Sequence, residues 1–187
     1  PKAVLSRLGR ICNSFLWAHQ GGRRIHWSSW DKLCYPYNEG GLGFRSFKDM
    51  ARAFSAELWW RFRLGDSIWA AFMQAKYVKG SHPSEVSAMR ATATWRRLEA
   101  IGPLVEPHIR WSLGEGLVDF WKDRWVFHEP LQQVVGSLER PHFLVSEFIT
   151  RDGWDERRLA RWVPEFVVRA IIDIPFDLSQ KDRMVWL

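Results

Sequence analysis

The chain has 187 residues, of which 47% are hydrophobic and 13 are tryptophan, so it can bury one sizeable core or two small ones. This composition excludes a disordered chain, and no apolar run approaches the roughly 20 residues that cross a bilayer, so we expect no membrane partner. The net charge is +6, and its distribution along the chain carries more information than its size.

The positive charge is concentrated in the first third of the chain. Residues 1–63 carry eleven Lys and Arg against four Asp and Glu, a net charge of +7, whereas residues 64–127 carry +1 and residues 128–187 carry −2. A clustered positive field attracts polyanions, and the pattern therefore favours nucleic acid as a partner. The alternative is a solvated surface without a ligand, since many basic domains bind nothing.

The two cysteines, Cys12 and Cys34, are too few for a disulfide framework and fit a reducing compartment with free thiols. We therefore expect an intracellular protein, without a preference between nucleus and cytoplasm. The chain opens at Pro1 without a start methionine and stops at Leu187 shortly after a new element begins, so we expect a segment of a longer protein.

The first predicted element is an amphipathic helix over residues 3–18, where apolar residues recur at helical spacing. Gly21 and Gly22 end this helix, and Arg23 and Arg24 follow in a flexible joint. Paired arginines in such a joint can reach phosphate, or they can form a solvated loop with no ligand.

A short helix, a glycine turn and a long helix are predicted next. Ser28 and Asp31 form a capping box that opens the short helix, and Pro36 ends it because proline disfavours the helical conformation at the preceding residue. Three glycines within residues 40–43 permit a tight reversal, and Ser46 can cap the long helix.

The long helix, predicted over residues 47–64, supplies the candidate binding site. At ~100° per residue, its apolar residues share one arc, which we predict to be the core face: Phe47, Phe54, Leu58 and Phe62. A second arc places three cations around an indole, a mixture that grips phosphates and stacks on sugars or bases: Lys48, Arg52, Trp59 and Arg63. The alternative is that Trp59 packs on a neighbouring domain with the cations around it.

The remaining elements predict a mainly α fold. Ser67 is predicted to cap another helix, a short helix is expected over residues 95–101, and a β-hairpin with a glycine turn is expected near residues 109–121. Residues 1–129 are therefore expected to form a helical region with one hairpin.

Residues 130–187 are expected to form a smaller helical part. Residues 130–143 are predicted to be loop, and short helices are predicted over residues 144–149, 155–162 and 164–172. Residues 183–187 are expected to open a strand of a downstream module.

No catalytic or metal-binding constellation can be assigned from spacing. The densest carboxylates, Asp119 and Asp123, are interpreted as turn and surface partners of Lys122 and Arg124 rather than as a metal site. The six histidines are scattered, two cysteines cannot complete a zinc site, and no adjacent Asp-Asp pair is present for two-metal polymerase chemistry. We therefore predict no catalysis, metal or cofactor for the chain on its own.

An ordered series of short, mostly aromatic motifs covers nearly the whole chain. They are Phe15-Leu16-Trp17, Ile25-His26-Trp27, Trp30-Asp31-Lys32-Leu33-Cys34, Gly40-Gly41-Leu42-Gly43-Phe44-Arg45, Leu58-Trp59-Trp60-Arg61, Ser67-Ile68-Trp69, Ala75-Lys76-Tyr77, Trp95-Arg96-Arg97, Trp111-Ser112-Leu113-Gly114-Glu115-Gly116, Phe120-Trp121-Lys122-Asp123-Arg124-Trp125 and Lys181-Asp182-Arg183-Met184-Val185-Trp186. In this order they resemble the polyproteins of plant non-LTR (LINE-type) retrotransposons, in the segment after the reverse transcriptase palm.

The resemblance implies a thumb and connection region of an RNA-directed DNA polymerase, with the polymerase upstream and a zinc-binding module, often followed by a ribonuclease H, downstream. We expect the chain itself to be non-catalytic and to contact template–primer, as RNA or RNA–DNA duplex, through the backbone. The candidate contact residues are Arg23, Arg24, Lys48, Arg52, Trp59 and Arg63. The alternative is a structural or protein-interaction domain, or a retroelement remnant, in which the tryptophans only fill the core.

Overall fold

Helices make up most of the fold, as the sequence predicts, and the strands form two small antiparallel pairs. The computed structural model describes residues 2–17, 27–87, 90–136 and 141–187. The chain divides into two compact units, residues 1–58 and residues 59–187. The predicted joint at Arg23 and Arg24 lies outside the described residues.

The first unit contains α1 (Lys2–Leu16), α2 (Trp30–Leu33) and the beginning of α3 (Phe47–Leu64). The short helix α2 forms as predicted, but its cap is Ser29 rather than Ser28, because the Ser29 hydroxyl accepts the backbone N–H of Lys32 at 3.4 Å. Ser46 caps α3 as predicted, accepting the backbone N–H of Asp49 at 3.3 Å.

The glycine turn between α2 and α3 closes on the backbone of Tyr35. The Gly43 N–H donates to the Tyr35 carbonyl at 2.9 Å, and Gly43 itself has a φ of +64°, which favours glycine. A Cβ atom at Gly41 would lie 1.9 Å from the same carbonyl oxygen, so the reversal requires glycine there.

The second unit begins with the last turns of α3 and continues with short helices whose caps follow the sequence. Ser67 caps α4 (Ile68–Met73), which runs into a π-helical turn at Gln74–Val78, and Thr92 caps α5 (Ala93–Val105). The predicted loop after Pro130 contains a short helix, α6 (Leu131–Val134). Asp155 then caps α7 (Glu156–Leu159), and Pro164 precedes α8 (Glu165–Ile172).

The hydrophobic core of the second unit crosses the boundary that the sequence predicts at residue 129. Trp121 and Trp125, from before that boundary, share one buried cluster with Phe148, Leu159 and Ile171, from after it. Phe120 stacks on Phe148 with ring centroids 4.2 Å apart. The division of the chain into residues 1–129 and 130–187 therefore differs from the compact units of the structure.

The strand predicted at residues 109–113 is present as β1 (Ile109–Ser112), but its predicted hairpin partner is wrong. β1 pairs antiparallel with β4 (Arg183–Trp186), with Ile109 opposite Trp186 and Ser112 opposite Arg183. The strand at the end of the chain therefore belongs to this fold and not to a downstream module. The one hairpin among the described residues joins β2 (Ile149–Thr150) to β3 (Gly153–Trp154).

The Gly-Glu-Gly segment after β1 binds a carboxylate instead of turning a hairpin. The Asp182 carboxylate accepts the backbone N–H groups of Gly114, Gly116 and Leu117 at 2.7, 3.0 and 2.6 Å. A Cβ atom at Gly114 would lie 2.2 Å from the carbonyl oxygen of Gln180, so the backbone segments pack too closely for a side chain. This contact fixes the entry of the chain into β4.

Replacing Asp182 with alanine is expected to lower the free energy of unfolding by about 2–3 kcal/mol, because three backbone N–H groups, two of them partly buried, lose a charged acceptor. Urea denaturation followed by circular dichroism measures the loss. Asp173→Ala is the matched control, since Asp173 is exposed, and it should leave the midpoint unchanged. Equal midpoints for the two variants would show that the three hydrogen bonds contribute no net stability.

No helix among the described residues is both long enough and apolar enough to cross a membrane.

Candidate nucleic-acid interface and a buried ionic cluster

Trp59 and Arg63 lie inside the second unit, which corrects their predicted place in an exposed patch. Trp59 is 1% exposed, and the side chain of Arg63 is 7% exposed. Conversely, Phe54 was predicted to face the core and is 66% exposed. The buried face of the second half of α3 is thus rotated toward Trp59, so that it includes Phe62, Trp59 and Arg63 together.

Arg63 is the centre of a buried ionic cluster, defined here as Arg63, His82, Glu106 and Asp123. Its guanidinium group contacts the Asp123 carboxylate, and its Nε lies 2.8 Å from Glu106 Oε1 as an ion pair without hydrogen-bond alignment. The Nε2 atom of His82 lies 3.2 Å from the same Asp123 oxygen. The cluster therefore joins α3, the turn at Pro83–Glu85, the end of α5 and the loop that carries Asp123.

Two tryptophans pack against the cluster. The indole N–H of Trp59 donates to Glu106 Oε1 at 2.8 Å, and the Trp111 ring centroid lies 5.6 Å from the guanidinium carbon of Arg63. Gly102 on α5 makes room for the Trp59 ring, since a Cβ atom there would lie 2.7 Å from it. Trp59 therefore acts as a packing residue that holds Glu106 in place for Arg63.

Pairing keeps the buried groups charged. Burial alone would raise the pKa of Asp123, but the charge of Arg63 and a hydrogen bond from His82 hold it well below its usual value. Burial would likewise lower the pKa of Arg63, and the charges of Asp123 and Glu106 raise it instead. A guanidinium group with two carboxylates around it offsets the desolvation of all three charges.

Asp119 and Asp123 are buried, so their predicted role as surface partners of Lys122 and Arg124 is wrong. Asp119 does have the predicted turn role, because its carboxylate accepts the backbone N–H groups of Trp121 and Lys122 at 2.9 and 2.8 Å. Lys122 pairs with Glu85 at 2.6 Å.

The structure also aligns a serine, a histidine and an aspartate that sequence spacing did not suggest. The Ser84 hydroxyl oxygen lies 2.7 Å from His82 Nδ1, and His82 Nε2 faces Asp123. The Ser84 backbone N–H also donates to Nδ1, at 3.3 Å, which identifies this contact as the cap of a helical turn. Asp123 is at the same time the ion-pair partner of Arg63, so the row is continuous with the buried ionic cluster. Within the described residues, no three His, Cys, Asp or Glu side chains are grouped to hold a metal ion.

Most of the net positive charge of the protein belongs to the first unit. Residues 1–58 contain nine Lys and Arg against four Asp and Glu, a net charge of +5. The exposed cations that the structure describes are Arg7, Arg10, Lys32, Arg45, Lys48 and Arg52. Exposed aromatic side chains accompany them: Phe15, Trp27, Tyr35, Tyr37, Phe44 and Phe54. Cations and exposed rings on one unit can contact both the phosphates and the sugars or bases of a strand.

Of the predicted contact residues, Lys48 and Arg52 remain exposed on α3, whereas Arg23 and Arg24 lie outside the described residues. Lys48 is already paired, since its Nζ lies 2.7 Å from Asp31 Oδ2. For Arg52 no ion pair is found within the described part of the chain.

A cleft of about 240 Å³ lies in the first unit between α1, α2 and the start of α3. Leu5 and Arg10 line it from α1, Trp30 and Asp31 from α2, and Phe47 and Lys48 from α3. The Trp30 ring stacks on Phe44 and Phe47, with centroids 5.3 and 5.6 Å away. The lining of the cleft thus combines apolar side chains with two cations and one carboxylate, and its uncharged polar residues are Ser6, Asn13 and Ser29.

The fold and these two features define a mainly helical, tryptophan-rich protein with a basic first unit. Along its full length the chain is similar to the Arabidopsis thaliana protein named "Putative ribonuclease H protein At1g65750", with 31% identity over 205 aligned residues. The match covers all of this chain and 32% of that relative, so the chain spans about a third of the relative's length. No protein-family model matches the chain, and no solved structure matches it significantly.

Proposed function

We propose that this chain is a non-catalytic segment of a non-LTR retrotransposon-type reverse transcriptase polyprotein, equivalent to its thumb and connection. In this proposal it holds RNA or an RNA–DNA duplex by contacts to the backbone. The full-length similarity to the plant ribonuclease H protein and the ordered aromatic motifs support this origin. The ribonuclease H activity in the relative's name would then belong to a part of that protein outside the matched third.

The observation that carries the proposal is the charge and composition of the first unit. Its net charge of +5 contrasts with +1 for residues 59–187, and its exposed surface combines cations with aromatic rings. Phosphate contacts by Lys and Arg supply affinity without base specificity, and exposed rings add stacking that tolerates any sequence. The buried Trp59 and Arg63 no longer belong to this surface.

The expected result is salt-dependent binding of the chain to a fluorescently labelled RNA–DNA duplex, measured by fluorescence anisotropy. Each phosphate contact adds about 0.9 to the slope of log affinity against log salt. Arg45→Ala with Arg52→Ala should weaken binding and flatten that slope by about two units in total.

Arg157→Ala with Arg161→Ala is the matched control, since it removes two exposed arginines from the second unit. It should leave affinity and slope unchanged if the first unit is the interface. Absent or salt-independent binding by the unmodified chain would contradict the proposed function. Metal-dependent hydrolysis of the duplex by the chain alone would contradict its non-catalytic role.

A second candidate is a protein-interaction module, and one feature of α1 favours it. Val4, Leu8, Ile11 and Phe15 follow helical spacing along one face of α1 and are exposed, Phe15 to 84%. The upstream polymerase module of the parent polyprotein is the partner that this role would require. The two candidates differ in salt dependence, because an apolar contact releases few ions.

A further inference from the structure

We propose that one phosphodiester group of the bound strand enters the cleft between Arg10 and Lys48, and that Asp31 competes with it for Lys48. This inference rests on the proposed function, because it locates a contact of the nucleic acid within the basic first unit. Arg10, Lys48 and Asp31 all line the same cleft, and Lys48 Nζ lies 2.7 Å from Asp31 Oδ2.

The size and lining of the cleft fit a phosphate with its sugar. At about 240 Å³ the cleft is smaller than the roughly 300–1,000 Å³ of sites for drug-sized ligands. Leu5 and Phe47 offer apolar surface for a sugar, and Arg10 and Lys48 offer donors for phosphate oxygens. The half-buried Trp30 ring, which also lines the cleft, stacks on Phe44 and Phe47.

The ion pair between Lys48 and Asp31 is easily exchanged. The two side chains are 61% and 63% exposed, and exposed pairs contribute little to stability. The hydrogen bond and charge of Asp31 raise the pKa of Lys48, which is the effect expected of an anion beside the ammonium group. A phosphate that enters the cleft therefore takes the place of Asp31 as the anionic partner of Lys48. The charge of the Asp31 carboxylate weakens this binding, because it competes with the phosphate for Lys48.

The test measures binding of the full chain to the labelled RNA–DNA duplex. Asp31→Asn removes the competing charge with little change of shape, and we expect it to tighten binding about two- to fivefold at low salt. Glu39→Gln is the matched control, since Glu39 is an exposed acid of the same unit. Both variants change the net charge by one unit, so a larger gain in affinity from Asp31→Asn than from Glu39→Gln must come from a local effect.

A double-mutant cycle then asks whether Asp31 acts through Lys48. Lys48→Met and Arg10→Met should each flatten the salt slope by about one unit. In the Lys48→Met background, Asp31→Asn should change affinity no more than Glu39→Gln does. Thermal melting confirms that the variants fold, as expected for exposed positions.

Equal effects of Asp31→Asn and Glu39→Gln in the unmodified background would overturn the inference and leave the proposed function intact. The inference would also be overturned if Asp31→Asn tightened binding in the Lys48→Met background as much as it does in the unmodified chain. Failure of the unmodified chain to bind the duplex would overturn the proposed function and the inference with it.

Discussion

Replacing Arg63 with methionine is expected to lower the free energy of unfolding by about 3–5 kcal/mol, the range for breaking a buried ion pair by removing one partner. Methionine keeps most of the side-chain volume, so the loss reports charge rather than a cavity. The variant leaves the buried Asp123 and the half-buried Glu106 without their shared cation. Urea denaturation followed by circular dichroism measures the change.

Arg52→Met is the matched control, because Arg52 lies on the same helix and is exposed. It should leave the urea midpoint unchanged. If both variants lost the same stability, the cluster would have no special role, and helix propensity alone would explain the loss.

The dependence of this loss on pH provides a second check. The native pKa of Asp123 lies below its unfolded value of about 3.9, so this carboxylate stabilises the fold above that pH and loses its contribution as the pH falls. Without Arg63 the native pKa of Asp123 rises, because it loses the charge that lowers it most and keeps only weaker contributions, among them that of His82. The difference in stability between the unmodified protein and Arg63→Met should therefore narrow as the pH falls below about 4, and a constant difference would contradict the assignment.

Replacing Phe62 with alanine is expected to destabilise the protein by about 3–5 kcal/mol, because the ring is fully buried and its removal leaves a cavity. Phe62 contacts Trp59 and Trp95 with ring centroids 5.5 Å away in each case, so the loss also weakens two aromatic contacts.

Phe54→Ala on the same helix is the matched control for Phe62→Ala. Phe54 was predicted to be a core residue, but it is 66% exposed, so its replacement should change stability by less than about 0.5 kcal/mol. Urea denaturation of both variants under the same conditions shows which face of α3 is buried, because only the buried face should lose stability. Losses of similar size would mean that the buried face is assigned wrongly.

Local signals in the sequence predicted much of the fold. Ser46 and Ser67 cap helices as expected, because a cap depends on a few neighbouring residues. The strand that pairs with β1 could not be predicted from residues close to it in the sequence. A glycine turn next to an apolar run predicts a hairpin, whereas the true partner lies at the end of the chain.

The sequence predicted which part of the chain is basic, but it did not predict which residues of the candidate site are exposed. The excess of cations places the basic surface in the first unit, and Lys48 and Arg52 are exposed there as expected. The helical period alone could not place Trp59 and Arg63, since their burial depends on Glu106 and Asp123, which lie 47 and 60 residues from their respective partners. A tryptophan and an arginine on one arc of a helix are compatible with an exposed ligand-binding surface and equally with a buried face that pairs with carboxylates.

The pairing of β1 with β4 affects how the chain can fold during synthesis. Ile109 has no strand partner until Trp186 has left the ribosome, which at about 5–20 residues per second takes several seconds. During that interval the backbone donors and acceptors of β1 are open to wrong pairing. Closing so long a loop is also slow, so sheet formation is expected to be a late step, after the local helices have formed.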